Sequence, residues 1–115
     1  MQATTIHTIT TEKGCPADAD VIWFQHVSRW TWIAMGARSR NVIRTEDGLM
    51  VDVYLGAGFC KCCLVIKVNQ SDLYDIEIGR VHRRMLDWIP EAQMRDIHAE
   101  QLDQAIRNLY DANKV

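Results

Sequence analysis

CLVIKVNQSDLYDIEIGRV, residues Cys63 to Val81, decides how the chain is read, because strand periodicity, turn chemistry and a second strand follow one another in it. Leu64, Ile66 and Val68 alternate with Val65 and Lys67. After Asn69-Gln70-Ser71-Asp72 the alternation resumes as Tyr74, Ile76 and Ile78 against Asp75 and Glu77. Asn, Ser and Asp in the connection can hydrogen-bond their own backbone and tolerate turn geometry, so the segment predicts a β-hairpin whose strands each carry an apolar face and a wetter one.

Upstream, Glu46-Asp47-Gly48 is a second reversal signal, with Leu49, Val51, Val53 and Leu55 lining one face of the returning strand. Trp30, Trp32 and Ala34 alternate with Thr31, Ile33 and Met35, which reads as a strand ending at a bend near Gly36 and continuing through Val42-Ile43-Arg44. Gly56-Ala57-Gly58 breaks the next strand from the one beginning near Phe59. Before these, residues 3–10 suggest a short edge strand. Asp18 or Asp20 stands where a helix N-cap belongs, so a short helix is expected over about 17–29. Past Arg80, Pro90 followed by early acidic residues predicts a helix from Glu91 onward, with Met94, Leu102, Ala105, Ile106 and Leu109 as its apolar stripe. The expected fold is therefore α+β: an antiparallel meander of about four strands packed against a C-terminal helix, with a short N-terminal helix.

The 115 residues suit a single domain spanning 1–115, with 48% hydrophobic and 24% charged residues arguing against disorder. A net charge of −2 gives no global attraction to nucleic acid or to an anionic membrane. No basic leader or long apolar run is seen, so the expectation is a cytoplasmic protein without a membrane partner.

Three pieces in order, Met35-Gly36-Ala37-Arg38 with Asn41, Asp47-Gly48-Leu49, and Asp72 to Arg80 (DLYDIEIGR), resemble small uncharacterised proteins carried by bacteriophages and other mobile elements. The similarity covers roughly Trp30 to Tyr110. Ser39 and Arg40 interrupt the first piece, and Gly58-Phe59-Cys60-Lys61-Cys62-Cys63 fills the middle connection in a way foreign to the group. The resemblance implies a mobile-element accessory protein, with a host defence component as one candidate partner, and it carries over no catalytic residues.

Cys60, Cys62 and Cys63 can be weighed as a metal or small-ligand module, but structural zinc sites pair two cysteine or histidine knuckles and no second knuckle is present. Cys60 and Cys62 fall on the core-facing row with Leu64 and Cys63 on the other, which suits small hydrophobes and calls for neither metal nor cofactor. His7, His26, His82 and His98 have no sequence-local nucleophile and orienting carboxylate. His98 falls in the expected helix stripe, and the reading is non-enzymatic.

Two basic clusters remain: Arg38, Arg40 and Arg44, and Arg80, His82, Arg83 and Arg84. With tryptophans nearby they could grip phosphates, making nucleic acid the alternative partner. In a four-stranded meander the clusters fall at opposite sheet ends unless a loop folds back, which favours a protein meeting them separately. Asp52, Asp75, Glu77 and the last helix could instead present an acidic face that imitates phosphate. Trp23, Trp30 and Trp32, with Phe24, Phe59 and Trp88, exceed what one thin layer buries, so a protein partner or a homodimer is the favoured reading.

Overall fold

The structure, a computed structural model, describes residues 9–55, 60–81 and 87–113. The fold is α+β. Five antiparallel strands run in sheet order as in sequence: β1 (Ile43–Thr45), β2 (Gly48–Leu55), β3 (Cys60–Val68), β4 (Tyr74–Val81) and β5 (Trp88–Ile97). The hairpin that organised the reading is present, with Leu64 opposite Ile78, Ile66 opposite Ile76 and Val68 opposite Tyr74. Its turn is held by two backbone hydrogen bonds, Asn69 N–H to the Leu73 carbonyl and Asp72 N–H to the Asn69 carbonyl, and by the Asn69 side chain. Asn69 Oδ1 accepts from the Ser71 and Leu73 amides, while Asp72 takes a left-handed φ of 61°.

The fifth strand corrects the helix expected from Glu91. Glu91, Gln93 and Arg95 are exposed while Ala92 and Met94 face the core, a period of two that the Pro90 signal concealed. Proline is tolerated here because β5 is an edge strand and irregularly paired, with register shifts between Ile78 and Gly79 and between Tyr74 and Ile76. Helix α3 starts later, at Leu102–Asn113, after a single 3-10 turn. His98 accordingly sits exposed at the junction and outside any helix stripe.

The N-terminal half departs further. Asp18 caps α1 (Ala19–Val21) by accepting from the Asp20 amide, and α1 runs on as a π-helical turn over Ile22–His26. Val27 and Ser28 are extended, and a second helix, α2 (Arg29–Ala34), replaces the strand expected at Trp30–Met35. The local cause is Ser28, whose side chain accepts from the Trp30 amide as an N-cap and whose own amide donates to Asp103 of α3. Of residues 3–10, only Ile9 and Thr10 fall among the described residues, and they begin a 3-10 turn.

The core lies between one sheet face and the helices. Leu49, Val51, Val53, Leu64, Ile66, Ile76 and Ile78 are each no more than 1% exposed, and Leu102, Ala105, Ile106 and Leu109 close over β4 and β5. Each fully buried Leu or Ile contributes about 1.5–3 kcal/mol relative to leaving it in water. Cys62 lies in this core at 4% exposure, on the row with Leu64.

The opposite face is not the wet one its sequence suggests. Val65, Asp75 and Glu77 are buried there too. Segment 9–15 crosses this face, and Trp88 lies over Gly79, where a Cβ would come within 2.5 Å of the indole. Glu77 accepts from the Trp88 indole N–H at 2.6 Å and from the Ile9 amide. Asp75 accepts from Asn69, from the Asp96 amide and from Arg95. A phosphate-imitating acidic face built on Asp75 and Glu77 is therefore ruled out, since both carboxylates are internal.

Candidate functional site

The tryptophans divide into two kinds. Trp32 is buried at 3%, stacks on Trp23 with ring centroids 4.3 Å apart, and donates its indole N–H to the Trp23 carbonyl. Trp32 is thus a core group, Trp23 is half-buried and packed against it, and Trp88 is engaged with Glu77. Trp30 is different: it is 72% exposed, and Phe24 (74%), Ile33 (54%) and Ile43 (60%) are the other large apolar side chains left in water among the described residues. All four come from the segment between residues 24 and 43. Phe59 lies outside the described residues.

Why Trp30 faces out follows from what holds the other side of α2. Thr31 is buried, its hydroxyl donates to Asp103 at 2.7 Å, and Arg107 Nε donates to the same hydroxyl at 2.8 Å. With Thr31 and Trp32 fastened inward, Trp30 and Ile33, three residues apart, share the outward face.

Beyond α2 the chain turns through Gly36 at φ +70°, a left-handed conformation that favours glycine. A Cβ there would also meet the Tyr54 ring at 2.9 Å. Met35 is buried, and its carbonyl accepts from the Tyr54 amide at 2.9 Å. A 3-10 turn over Ser39–Asn41 then leads into β1. These pieces border a groove of about 490 Å³ whose walls include Ile33, Met35, Arg38, Arg40, Tyr54 and Tyr110. The Tyr110 hydroxyl donates to the Tyr54 carbonyl, and burial, with the nearby Asp111 charge, holds its pKa above the usual phenol value.

The arginines are unequally occupied. Arg44 pairs with Asp20 at 2.6 Å and Arg80 with Glu91 at 3.0 Å. Arg38 and Arg40 are exposed and make no ion pair among the described residues. His82, Arg83 and Arg84 lie outside the described residues. The separation expected of the two clusters holds for Arg44 and Arg80, which stand three strands and four residues apart, about 20 Å at ordinary strand spacings. It does not hold for Arg38 and Arg40. The loop before β1 folds back along β2 to Tyr54, toward the sheet end where β4 finishes.

A second cleft, of about 290 Å³, lies where segment 9–15 meets the hairpin turn and β5. Most of its charges, Lys13 apart, are engaged with one another. Lys67 Nζ reaches Asp47 and the Ile9 and Glu12 carbonyls, Arg95 reaches Glu12 and Asp75, and Asn69 bridges Asp75 and Asp96. The hydrogen bond to Glu12 is the main reason that the Arg95 pKa is raised, reinforced by the charges of Glu12, Asp75 and Glu77 against the cost of burial. This is a clasp between chain segments.

Cys63 donates to Asp52 across the β2–β3 pair at 3.4 Å, and nothing is described of the Cys60 side chain. No cluster of three metal-ligating side chains occurs among the described residues. His26 lies edge-on to Tyr74, with ring centroids 5.7 Å apart. Among the described residues no helix is long and apolar enough to cross a membrane.

The sequence named Trp30, Arg38 and Arg40 but missed Ile33, Tyr54 and Tyr110. Reading α2 as a strand put Ile33 on the face opposite Trp30, whereas helical spacing would have joined them. Compared with models of known protein families, with characterised proteins and with solved structures, the chain matches none.

Proposed function

We propose that this chain is a non-enzymatic, cytoplasmic interaction protein, of the mobile-element accessory kind its sequence resembles, that works by binding a protein partner through α2 and its surroundings. The observation that carries the reading is the pairing of Trp30 and Ile33, both exposed on one face of a helix whose other face is locked to α3. Holding a tryptophan at 72% exposure on a rigid support forgoes the stabilisation its burial would bring, and aromatic side chains with arginine are what protein interfaces concentrate. A host defence component is the partner class that the resemblance suggests.

Nucleic acid is the second reading. It is favoured by one observation, that Arg38, Arg40 and Arg80 stand toward the same end of the sheet. The net charge of −2 works against it.

The test is a photo-crosslinking amino acid placed at position 30, with the same group at Gln104 on the exposed face of α3 as control, each irradiated in host extract. Heavier species from position 30 alone, degraded by protease and indifferent to nuclease, are the expected result, and an adduct of twice the chain mass identifies a second copy as the partner. Nuclease-sensitive species shift the assignment to nucleic acid. Equal yields at both positions remove the interface reading.

A further inference from the structure

Resting on that reading, we propose that the groove beside α2 receives an acidic amphipathic segment of the partner. Carboxylates would meet Arg38 and Arg40, and an apolar side chain would lie against Ile33. The argument is one of complementarity. Two guanidinium groups line the groove without an anionic partner among the described residues; Arg29, at the start of α2, also has none there, whereas Arg44, Arg80, Arg95 and Arg107 each have one. Guanidinium forks match carboxylates geometrically, and the resulting charge-assisted bonds are about twice as strong as neutral ones. The groove's 490 Å³ is enough for a large side chain with its neighbours, and too small for a folded surface to enter.

The groove walls themselves are a poor stacking surface for nucleic acid, and the open aromatic face beside them is Trp30 on α2. A strand-binding platform needs aromatic faces open to the bases. In the groove the Tyr54 ring packs against Gly36, and Tyr110 is buried with its hydroxyl committed to the Tyr54 carbonyl. The other walls are mainly aliphatic and cationic, with the Asn41 amide among them. A peptide with alternating acidic and apolar residues satisfies both, and the outward face of α2 extends the apolar track through Trp30.

The experiment is a selection of random peptides of about a dozen residues, displayed on phage, against the full chain, followed by binding of the winning synthetic peptides to variants. The expected winners combine Asp or Glu with Leu, Ile, Phe or Trp. Their affinity should fall about tenfold or more in the Arg38→Gln/Arg40→Gln double variant, where two charge-assisted bonds are lost, and by a similar factor in Ile33→Ser. Both sets of side chains are exposed, and circular dichroism of each variant establishes that it is folded. Selection of basic or neutral peptides, absence of any enrichment, or affinity unchanged in the double variant overturns the proposal. So does tighter binding of an oligonucleotide than of any selected peptide at physiological salt. If crosslinking from position 30 persists undiminished in the double variant, the interface reading stands and the groove assignment falls. If crosslinking at position 30 fails as well, both fall together.

Discussion

The two faces of the sheet are both buried, by different physics. On the helix-covered face, Leu49, Val51, Leu64, Ile66, Ile76 and Ile78 meet Leu102 and Ile106, and nothing directional is required beyond filling space. On the other face, Asp75 and Glu77 lie beneath segment 9–15 and Trp88, and burial is tolerable only because each carboxylate meets donors. One face tolerates changes of shape that keep volume. The other depends on particular atoms reaching particular partners. Alternation in a sequence reports the first kind of burial and is silent about the second.

The sharpest way to break this contrast is to damage each face once. Ile106→Ala, on the helix-covered side, should lose about 2–5 kcal/mol by chemical denaturation, because the cavity adds to the lost transfer energy. Trp88→Phe keeps most of the apolar area over Gly79 but removes a donor from the buried Glu77 carboxylate. It should cost about 1–3 kcal/mol. If the Phe variant were neutral, the second face would be held by packing after all and the distinction would fail.

Tyr110→Phe tests a directional bond on the otherwise apolar side, and its loss should be about 0.5–1.5 kcal/mol near neutral pH. It also has a pH signature. The folded pKa of Tyr110 is raised above the ordinary 10.0, so the folded state binds this proton more tightly than the unfolded one. Its contribution is complete below pH 10 and is lost as pH rises through the folded value, so the Phe variant should show a shallower alkaline fall. Identical alkaline limbs in parent and variant would assign that fall to other groups. Smallest of all should be Glu12→Gln, since the Arg95 and Glu12 side chains are 35% and 44% exposed and water and salt screen the pair. A loss of about 0.2–1 kcal/mol, shrinking with added salt, is expected. A loss as large as that of Trp88→Phe would mark the clasp as the main fastening of segment 9–15.

The hairpin from Cys63 to Val81 and the β2 strand were legible because alternation, turn residues and the burial of one face agree there, and Asp18, one of the two caps expected, does cap α1. Two segments misled for identifiable reasons. Trp30 to Met35 alternates in type yet begins two residues after Ser28, whose cap to α2 is reinforced by Asp103 from the far end of the chain. Trp88 to Ile97 carries a proline and an early acid, which favour a helix start locally, but pairing with β4 overrides that preference. Burial of Asp75 and Glu77 could not be read from β4 alone, because their donors come from residues 9, 69, 88, 95 and 96. Of the candidate surface, Trp30, Arg38 and Arg40 were visible as residue types. The groove was not, since it forms only where the loop before β1 folds back to Tyr54.

That fold-back also settles what the border of the sheet can do. β1 pairs only with Gly48, Leu49 and Met50, which leaves the remainder of β2 beyond its reach. At Tyr54 the main-chain N–H is taken by the Met35 carbonyl and the C=O by the Tyr110 hydroxyl. A strand from another molecule seeking to extend the sheet there would find both groups of that residue occupied, which blocks at that point the edge-to-edge stacking that seeds aggregates. A visitor at that point must be recognised by its side chains.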